Sequence, residues 1–164
     1  MSETSSQAGR RRRHDDRGAS LVEFALILPL LAMLVTGLFS SAMLYDGKMQ
    51  LTHAAREGAR YGAAVPDDEI FASGTWAENV RRLVIQREGG RLTEADVCVA
   101  LVTGNPATAV HTTNGGVCFD DAGSGEANMR VQVSATRTTR FDAVAFSRDV
   151  TTTARASARF EFNG

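Results

Sequence analysis

Two pairs and one triplet of residues have types and spacings that could do chemistry. The first is Gly18 and Glu23, five positions apart in the run Gly18-Ala19-Ser20-Leu21-Val22-Glu23-Phe24. If a peptidase cuts between Gly18 and Ala19, the new α-amine is a cation near neutral pH, with an ordinary pKa of about 7.7–8.0. Glu23 then lies one helical turn from that amine. It could pair with its own amine or, in an assembly, with that of a neighbouring subunit. Either pairing offsets part of the cost of a carboxylate at the entrance of a bilayer. The plainer reading is an interfacial glutamate that snorkels toward water.

The second pair is Cys98 and Cys118, twenty positions apart. An even pair in an exported domain reads as a structural disulfide, and two buried free thiols are the other reading. A zinc site with His111 as third ligand lacks both a Cys-x-x-Cys pair and a fourth ligand. The triplet, the small residues Ala54, Gly58 and Gly62 at four-residue spacing, does its work by being small. Such spacing lets another backbone approach closely. Ala55, Ala59 and Ala63 repeat it one position along, with Arg56, Glu57 and Arg60 on the flanks.

Other constellations fall away. His14, His53 and His111 share no neighbourhood. No Gly-x-Ser-x-Gly elbow and no phosphate-binding glycine loop is present. The acidic, glycine-rich stretch at 120–126 lacks the ligand spacing of a calcium loop and reads as a solvated turn. Arg10 to Arg13 lie too far upstream of the apolar run for a twin-arginine signal, and serve better as a topology determinant. No catalytic constellation, metal site or cofactor is expected, so the chain does not read as an enzyme.

The elements that must position these residues follow from charge and hydropathy. Residues 24–44 are 21 positions without a charge, in a chain of 164. A bilayer core needs roughly 20 such residues at about 1.5 Å each. Ahead of that run, residues 1–18 hold five arginines against three acidic groups, a net of +2. The remaining 146 residues hold 13 basic and 16 acidic groups. Positive-inside logic keeps the N-terminus cytoplasmic and places the C-terminal domain outside the cytoplasm, in a single-pass cell-membrane protein. The near-neutral total of -1 and 7% aromatic residues argue against nucleic-acid binding. No small-molecule substrate is expected.

Four segments result: a basic, disordered leader at 1–18, a transmembrane helix at 19–45, a helical stalk at 46–65 and an exported α+β domain at 66–164. Pro29 falls inside the apolar helix, where it removes one backbone donor and either kinks the helix or is tolerated. Pro66 with Asp67-Asp68 ends the stalk. Thr75-Trp76-Ala77-Glu78 has the pattern of a capping box. The short helix it opens has Trp76, Val80, Leu83 and Val84 on its apolar face and stops at Gly89-Gly90. Residues 97–103 read as a buried strand, and 117–119 as a short apolar piece after the turn Asn114-Gly115-Gly116. Met129, Val131, Val133 and Ala135 share one face of a strand over 128–138. Val150, Thr152, Ala154, Ala156, Ala158, Phe160 and Phe162 share one face of another, with Arg155, Ser157, Arg159 and Glu161 opposite. The fold class is therefore α+β: a long N-terminal transmembrane and stalk helix, then a small antiparallel sheet of three or four strands with one short helix.

Glycine, four residues, then Glu23 and Phe24 at the head of an apolar helix is similar to the processing site of type IV pilin-like proteins. The longer run RGASLVEFALILPLLAMLVTGLF, with LTHAAREGARYGAA after it, resembles the TadE-like family of tight-adherence pilus proteins. Glu23, Phe24, Pro29 and the Ala54-to-Arg60 pattern have counterparts there, and the closing TTTARASARFEF resembles the family's last strand. The resemblance covers residues 17–64 and implies a pseudopilin-like, bitopic protein serving assembly of a pilus or secretion filament. It implies prepilin-type cleavage between Gly18 and Ala19, with a prepilin-type peptidase and other pilin-like or pilus-assembly subunits as partners. Residues 65–148 resemble nothing recognisable. Two competing readings remain. One is a signal-anchored extracytoplasmic binding domain without a filament role. The other is a secreted protein cut after Ser40-Ser41-Ala42, against which Glu23 stands as a handicap in the apolar region.

Overall fold

The computed structural model describes residues 12–65, 74–104, 106–120, 129–142 and 147–159. The first eleven leader residues, the Pro66-Asp67-Asp68 stop, most of the acidic stretch at 120–126, and Phe160, Glu161 and Phe162 lie outside these. Two compact units divide the chain, one of residues 1–42 with 142–147, the other of 43–141 with 148–164.

The first unit is built on the start of helix α1, Arg12–Ala64. The helix begins earlier than a disordered leader over 1–18 requires. Arginine is a good helix former, and one Gly18 costs only about 1 kcal/mol against alanine. It also runs through Pro29 without interruption. Its large apolar side chains have no cover from the chain: Leu21, Phe24, Leu31 and Leu38 are all more than half exposed. From Gly18 the helix is long and apolar enough to cross a membrane. Thr36 and Ser41 return their hydroxyls to the carbonyls of Ala32 and Gly37, at 2.7 and 2.9 Å. Each thereby satisfies its own polar group inside an apolar stretch.

The second unit is a four-stranded antiparallel sheet in the order β2-β1-β3-β4, with helices on one face. Its strands are β1 (Val97–Thr103), β2 (Thr108–Thr112), β3 (Arg130–Asp142) and β4 (Ser147–Arg159). Helix α2 is Trp76–Arg87. The register of β1 on β3 pairs Val97 with Ala135, Val99 with Val133 and Leu101 with Val131. Because side chains alternate along a strand, these six line one face. They join Leu51, Ala54, Ala55 and Ala59 of α1 and Trp76, Val80 and Val84 of α2 in one buried core. On β4 the expected alternation holds over the described residues: Ala154 is buried, Ala156 and Ala158 are half-buried, and Arg155, Ser157 and Arg159 are exposed. Thr136 with Thr153 and Thr138 with Thr151 form a ladder of hydroxyl contacts at 3.3 and 3.2 Å across β3 and β4.

Local signals fared differently at the two ends of α2. Its C-terminus is a Schellman motif: Gly90 N–H donates to Ile85 O and Gly89 N–H to Gln86 O, both at 3.0 Å. Gly89 and Gly90 have φ of 67° and 71°, which glycine adopts without penalty. At the N-terminus, Thr75 is the residue before the helix but makes no side-chain capping bond. Glu78 pairs with Arg81 instead. A reciprocal arrangement occurs later, where Thr93 N–H and its hydroxyl donate to Asp96 at 2.8 and 2.7 Å. These two bonds favour the charged carboxylate and hold the Asp96 pKa below the ordinary aspartate value, the hydroxyl contributing most.

The residues at 117–119 do not form a strand. The fourth strand is 108–112, with a bulge between Leu101 and Val102 of its partner. The turn after β1 supplies this hairpin, and the segment at 113–119 folds over the other sheet face.

Candidate functional site

Gly18, Ala19, Glu23 and Phe24 stand on the first exposed turns of α1. A Cβ added at Gly18 would meet nothing within 4 Å. Its role is therefore not to admit a close neighbour within this chain. Gly18 has the weakest helix propensity of these four residues, about 1 kcal/mol below alanine, and the helix nonetheless runs through it. Ala19 and Glu23 are four apart and share a helix face. Among the described residues, no cation pairs with Glu23.

Ala54, Gly58 and Gly62 face the chain's own domain. A Cβ on Gly58 would lie 2.4 Å from Val84 Cγ2, inside any permitted contact, and near Val80 and Val133. On Gly62 it would meet Trp76, Val131 and Val80, each at 3.1 Å. Ala54 is 3% exposed. The small residues let α2 and the sheet approach the axis of α1, which explains the spacing by packing within one chain. Trp76 completes the contact, donating its indole N–H to Gly62 O at 3.1 Å. This satisfies the polar tip of an otherwise apolar side chain in the core.

Cys98 and Cys118 are bonded, with Cα atoms 5.6 Å apart. Closing a loop of this size stabilises by about 3 kcal/mol in the chain-entropy model. Both thiols are thereby used up and leave no thiolate to hold zinc beside His111. Among the described residues, no group of three or more His, Cys, Asp or Glu could hold a metal ion.

The disulfide has a partner that sequence reasoning missed. Gln132 points to the same sheet face and is fully buried. Its Nε2 donates to Phe119 O at 3.1 Å, and its Oε1 accepts from Cys118 N–H at 3.2 Å. The side-chain amide thus does for the segment what a neighbouring strand would do. Arg155 caps the same segment, with its guanidinium carbon 5.7 Å from the Phe119 ring centre. A polar residue within an apolar alternation was the available signal, but only the register of β3 shows what it meets. The same holds for Glu88, whose buried carboxylate takes Arg137 at 3.3 Å across 49 residues of sequence. Its other oxygen has no hydrogen-bond partner among the described residues.

These features define a class: a protein with, among the described residues, one candidate membrane-spanning N-terminal helix and a small, disulfide-clipped α+β domain. Residues 18–60 match the model of the TadE-like protein family, about a quarter of the chain. This TadE-like region holds Gly18, Glu23 and the stripe at 54–58, and with the apolar helix it fits a component of pilus assembly. No curated protein and no solved structure matches the chain.

Proposed function

We propose that this chain is a bitopic pseudopilin or assembly subunit of a tight-adherence, type IV pilus-like or related secretion system. The observation that carries the proposal is the TadE-like match over 18–60, which opens on Gly18 and runs through the apolar helix. In this reading the arginine-rich leader stays in the cytoplasm and a prepilin-type peptidase cuts between Gly18 and Ala19. The freed amine meets Glu23 of the same or a neighbouring chain, so that two charges enter the bilayer as a pair. The disulfide supports an oxidising, extracytoplasmic location for the domain. The role is structural: the subunit holds position and contacts other pilin-like subunits, and it carries out no reaction of its own.

The test is the intact mass and N-terminal sequence of the membrane-bound protein from its native cells. A start at Ala19, abolished by Gly18→Val, is the expected result. A start at Met1 or Ser2 would leave a static anchor, and a soluble product starting at Met43 would mean release by a signal peptidase. Either outcome overturns the proposal.

A further inference from the structure

Between α1 and α2, within the second unit, lies an open groove of about 870 Å³ lined by His53, Arg56, Glu57, Arg60, Tyr61, Leu83 and Arg87. Three guanidiniums face it against a single carboxylate. Glu57 is engaged with Arg87 at 2.6 Å. Arg56 and Arg60 have no ion-pair partner among the described residues. They stand four apart on one helix face, where like charges repel and weaken the helix. An anion from outside the chain would relieve that repulsion. We propose that the groove is a docking site for an acidic segment of a partner protein, bound extended across α1 and α2.

The dimensions select this occupant. His53 to Tyr61 is eight steps along α1, about 12 Å at 1.5 Å per residue. An extended peptide covers that distance in about four residues at roughly 3.3 Å each. One phosphate or one headgroup can bridge Arg56 and Arg60 but leaves the rest of the groove's length unfilled, whereas alternate carboxylates along a strand reach both arginines and run on along the groove. Arginine suits carboxylates because its planar fork donates two parallel hydrogen bonds. Leu83 and the Tyr61 ring give the backbone of such a segment an apolar bed. The incoming segment competes with Glu57 for Arg87, so the groove binds only ligands with more than one carboxylate. The inference does not depend on cleavage at Gly18, since every lining residue belongs to the unit that begins at Met43.

The experiment uses the full chain in detergent micelles and a fluorescently labelled hexaglutamate peptide, read by anisotropy. Saturable binding is expected, weakened at least tenfold in R56Q/R60Q. R82Q, an exposed arginine of α2 outside the groove, serves as the charge control. Thermal unfolding by circular dichroism should be the same for all three chains, because these side chains are exposed. The proposal is overturned if binding does not saturate, or if R82Q weakens it as much as the double variant, which would indicate net charge alone. It also fails if inorganic phosphate displaces the peptide at equal charge concentration, which would indicate a site for point anions.

Discussion

Helix α1 solves two packing problems along one axis. Over residues 18–42 it presents leucine, phenylalanine and methionine side chains that the chain leaves bare, Leu31 at 61% exposure among them. Over 54–62 its inward face is alanine and glycine, buried beneath α2 and the sheet. Large apolar groups suit a surface facing lipid, where each methylene contributes by transfer from water. Small ones suit a helix whose neighbours must come close, because every added atom displaces a packed one. The two halves should therefore answer identical substitutions differently.

The largest contrast is expected from leucine truncation. Leu51 is fully buried, so Leu51→Ala should destabilise the domain by about 2–5 kcal/mol through lost burial and the cavity left behind. Leu31→Ala, in the bare half, should leave domain unfolding within about 0.5 kcal/mol of the parent chain. Chemical denaturation of the detergent-solubilised protein, followed by Trp76 fluorescence, compares the two. Equal losses would break the distinction between the halves.

A glycine pair sharpens it further. Gly58→Ala gains about 1 kcal/mol of helix propensity but forces its Cβ against the stiff, buried Val84, an overpacking cost of about 1–3 kcal/mol. The net should be destabilising. Gly37→Ala meets nothing within 4 Å and should be neutral for the domain. A stabilised Gly58→Ala domain would mean that α2 yields easily and that the stripe is not a close contact. The same unfolding assay decides.

The smallest effect tests the turn that leads into β1. The Asp96 carboxyl has a depressed pKa when folded, so its contribution to stability is present above the unfolded pKa. It fades as pH falls through the folded value, because the unfolded chain takes up the proton first. Asp96→Asn should flatten the fall in melting temperature between pH 5 and pH 3 without changing the bare half of α1. An unchanged acid slope would show that the Thr93 bonds contribute little.

Much of this architecture was legible because its causes are local. The uncharged run at 24–44, the alternation of Ala154, Ala156 and Ala158, the strand over 97–103 and the Gly89-Gly90 stop each follow from a few neighbouring residues. The short apolar piece at 117–119 was visible after its turn, but an apolar triplet suits a strand and a face-covering segment equally well, so its place needed the tertiary structure. Likewise the box at Thr75 and Glu78 has the right letters, yet Arg81 claims the glutamate. The motif at Gly18 and Glu23 was visible at once, since both members lie within two turns. The groove between α1 and α2 was not, because Arg56 and Arg87 are 31 positions apart.

By itself the sequence determined that the chain has one helix long and apolar enough for a bilayer, followed by a small α+β domain. Hydropathy and period report how each residue meets its solvent, and that needs no knowledge of partners. Only the tertiary structure decided that the glycine stripe packs on the chain's own helix and sheet. It alone placed Gln132 as a surrogate strand under the disulfide, set Glu88 against Arg137, and left Arg56 and Arg60 facing an unshared groove. Those outcomes depend on strand register and helix approach, which small differences in packing settle between residues far apart in the chain.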